Sequence, residues 1–285
     1  MTAEWLTTVL ILGGVFVFLF CLERWIPLRK PRHGLARRLF ANLAISALAL
    51  VAAAVLVDPA GIRALEFASD RGVGLLRWAG LSPIAEFMID FALLDLTFYY
   101  WHLANHKLAF LWRFHNVHHI DPDLDVSTSF RFHFAEVAMS AGFRIIQIAA
   151  LGVSPVTFAT YELAFQIGTL FHHSNVRLPI VLERWLNLVI VTPRMHGIHH
   201  SKVFDEVNSN WSSVFSWWDR LHGTLRVDVP QSAIDIGVPG YSLSHDNSVR
   251  AVLAMPFQKQ RPYWPDSGFD DKRTTHGEKR MRLAE

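Results

Sequence analysis

Two long apolar runs near the N-terminus constrain this chain more than any other feature. Residues 5–22 are 18 consecutive uncharged side chains, mostly Val, Leu, Ile and Phe, and residues 39–57 are another 19. At about 1.5 Å of rise per residue, each run as a helix comes close to spanning a hydrocarbon core of roughly 30 Å. The first run has no basic leader and is followed by Glu23, Arg24 and Trp25 rather than a small-residue cleavage site. It therefore reads as a retained transmembrane helix and not as a secretory signal. Composition agrees, with 51% hydrophobic and 18% charged residues and a mean hydropathy of +0.23. Those values exclude disorder and argue against an ordinary soluble domain.

The residues between the two runs, 28–38, carry Arg29, Lys30, Arg32, Arg37 and Arg38 with no acid. By the positive-inside rule that loop is cytoplasmic and the N-terminus lies outside. Residues 58–82, punctuated by Pro59, Gly61, Gly72, Gly74 and Gly80, read as an external loop with a short interfacial helix. Residues 83–101 read as a further span whose acids, Glu86, Asp90 and Asp95, must face protein or water. Residues 134–171, broken at Gly152 and Pro155, read as a helical hairpin, and 177–192 as an interfacial helix. The chain from 201 onward is mostly polar, and its tail after 256 reads as loosely ordered. The expected fold class is all-α and integral to the membrane, about four transmembrane helices under a cytosolic, histidine-rich, metal-binding helical cap. Its expected divisions are an N-terminal membrane region over 1–90, a histidine-bearing domain over 91–228 and a polar tail over 229–285. Counting crossings puts every histidine cluster on the cytoplasmic face.

Fifteen histidines stand against one cysteine. A single cysteine excludes an internal disulfide framework and any cysteine-based zinc or iron–sulfur site. The net charge of +2 gives no nucleic-acid footprint. The chemistry must be that of imidazole. His102 and His106 are an i,i+4 pair, one turn apart on one helical face, the spacing that lets two imidazoles hold one ion. His115-Asn-Val-His118-His119 and His196-Gly-Ile-His199-His200 repeat one H-x-x-H-H pattern, and His172-His173 is a further pair. Neighbours such as His118 and His119 diverge by about 100° on a helix, which suits them to two adjacent ions. A lone pair of this kind is ordinary surface polarity; three clusters on one membrane face beside apolar helices are not. Eight imidazoles in the three clusters exceed the positions of one ion, so two ions are implied. Imidazole suits Fe, Zn, Cu and Ni. A nitrogen-rich pair of ions at a lipid boundary points to redox chemistry with O2 on an apolar substrate, for which iron is the natural metal and zinc an alternative on isolation.

Supporting residues are expected as well. Asp95 lies seven residues before His102 on the same helical face, placed to accept the outer N–H of a ligating histidine. Asn210 is expected either to cap a helix or to ligate or orient water at a metal, and Asp219 to be structural. His33, His245 and His276 lie in polar loops or the tail and need no special role.

These clusters resemble the fatty acid hydroxylase/sterol desaturase superfamily of integral membrane di-iron oxygenases. The likeness runs from Asp95-Leu-Thr-Phe-Tyr-Tyr-Trp-His102-x3-His106 through His115-x2-His118-His119 and His173-Ser-Asn175. It continues through Thr192-Pro193-x2-His196-x2-His199-His200 and Asn210-Trp to Trp218-Asp219-Arg220-Leu221-His222-Gly223-Thr224, covering roughly residues 90–225. The resemblance implies His102, His106, His115, His118, His119, His173, His196, His199 and His200 as metal ligands. It leaves His172 and His133 open. His133 sits in Arg-Phe-His-Phe, where many relatives have proline after the histidine. His222 stands where the family commonly has phenylalanine, and reads as surface variation.

The resemblance further implies two Fe ions, O2 as co-substrate, a lipid substrate and an external electron donor of ferredoxin or cytochrome type. No G-x-G-x-x-G or C-x-x-C-H fingerprint for a built-in flavin, nicotinamide or haem is present. The expected activity is hydroxylation of an unactivated C–H bond of a sterol- or hopanoid-like, fatty acyl or carotenoid lipid, with desaturation of the same class as the alternative. A rival of another class is a non-catalytic histidine-rich membrane protein that binds or transports metal, which predicts ligands spread across the bilayer depth.

Overall fold

The computed structural model describes residues 3–75 and 79–265, and over them the protein is all-α, with isolated antiparallel bridges and no strand. The two apolar runs are α1 (Ala3–Trp25) and α2 (Leu35–Ala52). The second does not stop at Asp58 as the sequence suggests. A five-residue π segment, Ala53–Val57, carries the helix directly into α3 (Asp58–Arg71). Pro59 falls in the first turn after that register change, where its missing N–H is tolerated. Gly72, at φ 59°, then ends α3 by turning its N–H back to Ala68 and Ser69. Most of the expected external loop is therefore helix.

The expected hairpin forms as α6 (Phe134–Leu151) and α7 (Pro155–His173), turned at Gly152 with φ 76°. Ser154 caps α7, its hydroxyl accepting from the Thr157 amide at 3.1 Å, with Pro155 in the first turn. Gly74 touches this turn so closely that a side chain there would collide with the Gly152 backbone, and the Leu75 amide donates to Ala150 O at 3.0 Å. Three stretches are long and apolar enough to cross a membrane: Leu6–Trp25, Leu35–Arg71 and Phe134–Leu151. α4 (Pro83–Lys107) and α7 are as long but interrupted by polar side chains. The crossing helices turn large apolar groups outward, with Leu10, Phe18, Phe40 and Val55 all more than 60% exposed. An apolar surface of that extent suits lipid, not water.

Inside the bundle, α6 packs on α2 and α3, while α4 packs on α7. Ile148 and Leu151 meet Ala64, Ala68, Leu94 and Tyr161 in one buried cluster. At one end of the bundle the chain forms α5 (Ala109–His119), α8 (Ile180–Leu186), α9 (Pro193–His199), α10 (Phe204–Val207), α11 (Trp217–His222) and α12 (Val249–Ala254). Tyr263 and Trp264 pack over Trp112, Val117 and Tyr241. The part of the tail from 256 to 265 is therefore ordered by aromatic packing, contrary to its polar composition. The remainder, with His276, lies outside the described residues.

A buried polar clasp ties the membrane helices to this end. Arg38 of α2 forks onto Asp121 at 2.7 and 3.1 Å and reaches Asp125 at 2.9 Å, and Asn42 donates to Asp121 at 2.8 Å. Burial alone would raise Asp121, but the Arg38 and Arg131 charges outweigh it and hold the carboxyl at about 2. Glu23 of α1 accepts from the Val126 and Asn175 amides. The segment after the second histidine cluster is thus fixed from two helices at once.

Candidate metal centre

Four elements converge on one buried site. α4 brings His102 and His106, α5 brings His115, His118 and His119, the end of α7 brings His173, and α9 with its cap brings His196, His199 and His200. All nine sequence-nominated histidines meet there, in two groups. His102, His106, His115, His119 and His199 form one, and His118, His173, His196 and His200 the other, with candidate ligand atoms within 4.8 Å of one another in each. The neighbours His118 and His119 fall in different groups, as do His199 and His200, because adjacent helical side chains diverge. The two groups adjoin: His119 stacks on His200 with ring centroids 4.4 Å apart.

The ring nitrogens point at each other in a way that a protein alone does not satisfy. Nε2 of His118, His173, His196 and His200 form a chain of contacts at 2.9, 3.0 and 3.1 Å. The tautomers are fixed from outside. Nδ1 of His102 meets Trp211 O at 2.8 Å, Nδ1 of His199 meets Ser209 O at 2.7 Å, and Nδ1 of His173 meets Thr169 O at 2.8 Å. A carbonyl only accepts, so each of these Nδ1 atoms carries the proton and each Nε2 presents a lone pair. Nδ1 of His115 meets the Glu136 carboxylate at 2.7 Å with the same consequence. Nε2 of His106 and of His199 are buried without a hydrogen-bond partner among the described residues. Converging imidazole lone pairs, neutral and buried, fit a pair of metal cations.

Electrostatics keep the set in ligand form. Burial pushes His102 and His173 down to about 3. Burial, then the charge of neighbouring imidazoles, holds His106, His118, His119, His196 and His200 well below 6.5, and His199 too despite its carbonyl partner. Protons do not compete for these nitrogens near neutral pH.

The supporting residues differ from expectation. Asp95 reaches no histidine. Its carboxylate accepts from the Phe215 and Val214 amides at 2.9 and 3.3 Å and from the Trp218 indole at 2.8 Å. Seven residues of helix put it about 10 Å along the axis from His102, too far for contact with that ring. The partner sequence reasoning missed is Glu136. The signal was a lone acid near the start of an otherwise apolar helix, where a carboxylate must find a partner.

Asn210 does not face the histidines. It sits at φ 56°, the one described non-glycine residue with positive φ. Its amide donates to Met195 O at 2.8 Å and Arg226 O at 2.7 Å, and its oxygen accepts from the Arg226 amide at 2.7 Å. Asp219 clamps the same loop, accepting from the Trp211 and Ser212 amides at 3.0 and 2.9 Å. His133 caps α6, its Nδ1 accepting from the Ala135 amide at 3.1 Å, and packs on Phe114 and Phe257. His172 is buried against His196, centroids 4.1 Å apart, but belongs to neither group. His222 stacks on Tyr99 and bonds Tyr100 at the surface.

Known proteins share this arrangement of sequence. The pattern of the fatty acid hydroxylase family matches residues 87–224. The chain is 30% identical to ornithine lipid hydroxylase OlsE of Rhizobium tropici over 184 residues, covering 64% of this chain and 54% of that one. It is 29% identical to human cholesterol 25-hydroxylase over 47% of this chain and 48% of that one. It is 28% identical to alkylglycerol monooxygenase of Danio rerio over 62% of this chain and 38% of that one. The chain thus spans about half the length of the relatives it matches, or less. No solved structure matches it. The match runs over the histidine-bearing helices, and with the hydroxylase relatives it makes this part of the chain similar to the fatty acid hydroxylase family.

Proposed function

We propose that the protein is a membrane-bound lipid hydroxylase whose two histidine groups each hold one iron. The observation that carries this reading is the convergence of nine imidazoles, eight of them buried and His106 half-buried, into a group of five and an adjoining group of four. Relatives named as hydroxylases of an ornithine lipid and of cholesterol support the substrate class. Two bound irons would supply the activation of O2 needed to take a hydrogen atom from an unactivated C–H bond.

The chain's own part is orientation and exclusion of water. Trp211 O, Ser209 O, Thr169 O and Glu136 fix which nitrogen of each of four histidines faces inward. Burial of the set keeps solvent from the reacting centre. Both groups lie where α4, α5, α7 and α9 meet at one end of the bundle, an arrangement that disfavours the transport rival. In the same reading the N-terminus is outside, the histidines are cytoplasmic, residues 91–228 are the catalytic domain, and electrons come from a separate ferredoxin- or cytochrome-type donor.

Metal analysis of the purified full chain, paired with lipid profiling of cells lacking it, tests the proposal. About two irons per chain and the loss of an oxygenated lipid support it. Retained metal with an unchanged lipid profile refutes it.

A further inference from the structure

Arg29 is 9% exposed, yet only one nitrogen of its guanidinium is occupied. Nη1 donates to Gln231 Oε1 at 2.6 Å and to Pro193 O at 3.4 Å, while Nε and Nη2 are buried without a partner among the described residues. Idle donors on a buried cation are costly unless something meets them. Arg29 forms part of the wall of a recess between the α1–α2 loop, residues 122–125 and residues 234–236.

The carboxylates of this recess are already engaged. Asp125 takes Arg24 and Arg38, Asp123 takes the backbone amides of Arg32 and His33, and Asp235 pairs with Arg32. Lys30 and Lys202 also line it, and neither has a carboxylate partner among the described residues. Three cations, Arg29, Lys30 and Lys202, thus stand around one cavity with no carboxylate at ion-pair distance among the described residues.

We infer that this recess binds a phosphate group, held by Arg29 from below and by Lys30 and Lys202 from its rim. A guanidinium edge with two free N–H groups matches two oxygens of one phosphate, and two ammonium groups supply point charges for the others. The α1–α2 loop joins two helices of membrane-crossing length, so the recess beside it would lie within reach of lipid phosphates. The phosphate therefore comes from a lipid headgroup or from a soluble phosphate of the same chemistry. The site also bears on the third histidine cluster, because the Arg29 guanidinium fills the space a side chain at Gly197 would need. None of this depends on the metals or on the proposed activity.

The test uses the full chain in neutral detergent, with vesicles of phosphatidylcholine alone, vesicles doped with phosphatidic acid, and inorganic phosphate alone as probes. Binding to the doped vesicles is expected to exceed binding to plain ones, and Lys30→Gln/Lys202→Gln is expected to weaken it about tenfold or more. Lys259→Gln, an exposed cation elsewhere, is expected to leave it unchanged. Arg29→Lys, which keeps the charge and loses the fork, is expected to weaken it as well. Competition by inorganic phosphate assigns the site to a soluble ligand, and saturation by vesicles alone assigns it to a headgroup; both uphold it. Equal binding to plain and doped vesicles overturns the inference, as does equal weakening by Lys259→Gln, which reduces the effect to general surface charge.

Discussion

Glu136, near the start of α6, accepts the Nδ1 hydrogen of His115 on α5 at 2.7 Å, with both side chains buried. This is the one carboxylate contact to a histidine of the two groups among the described residues; the other fixed rings lean on carbonyls. A carboxylate there raises the basicity of the inward nitrogen and locks its orientation. Replacing Glu136 by Gln should lower metal affinity by about 10- to 100-fold while leaving the fold intact. Competition with a chelator of known affinity reads the change. Unaltered affinity would mean that His115 needs no such support.

Asn210 holds the loop from which Ser209 O and Trp211 O reach His199 and His102. Truncation to Ala removes three hydrogen bonds and puts a Cβ residue without local support at positive φ. The expected loss is about 1–3 kcal/mol from the groups left unsatisfied, together with weaker metal binding. Asn210→Asp, which keeps the acceptor for the Arg226 amide, should recover part of both. Thermal unfolding and metal titration on the two variants check this. A stability loss with metal binding untouched would show that the loop does not position the rings.

The partition of the histidines predicts stoichiometry. His199 belongs to the group of five and His200 to the group of four, though they are neighbours in sequence. His106→Ala and His196→Ala, one from each group, should each reduce bound metal from about two ions to about one. His133→Ala and His222→Ala should leave it at about two, since His133 caps a helix and His222 lies at the surface. Elemental analysis of the purified variants decides. Complete loss of metal in both of the first pair would mean a single shared site.

The pH dependence of the metal-free protein follows from the buried imidazoles. In the folded state His102 and His173 stay neutral down to about 3, and most of the others are held well below 6.5. Unfolded imidazoles bind protons from about 6.5 downward. Between those values the unfolded state binds more protons, so stability rises with pH. It should be full above about 6.5 and fall steadily as the solution is acidified towards 3. Denaturant unfolding of chelated protein at several pH values measures this. A stability that does not change across the window would show that the rings are solvated rather than buried.

The histidine groups were legible because i,i+3 and i,i+4 spacing is a local property that survives any arrangement of the helices. The same holds for the apolar runs that became α1 and α2. What could not be read depends on contacts across the fold. Asp95 and Glu136 are both acids on largely apolar helices, and only the facing of α5 by α6 makes Glu136 the one that meets a ring. The acceptors for His102 and His199 are backbone carbonyls, which leave no mark on side-chain identity. The continuation of α2 through residues 53–57 rests on a π turn, whereas Pro59 and Gly61 suggested a break. The idle Arg29 is invisible for the same reason: in sequence it is one cation among five in a basic loop.

The central claim is tested most directly by supplying the iron-loaded full chain in bilayers with its lipid extract, a reductant and isotopically labelled O2, then following the lipids by mass spectrometry. The account predicts a lipid product that carries one labelled oxygen, formed by the wild-type chain and absent with His199→Ala or His200→Ala. A chain that holds both metals yet leaves every lipid free of label would contradict it.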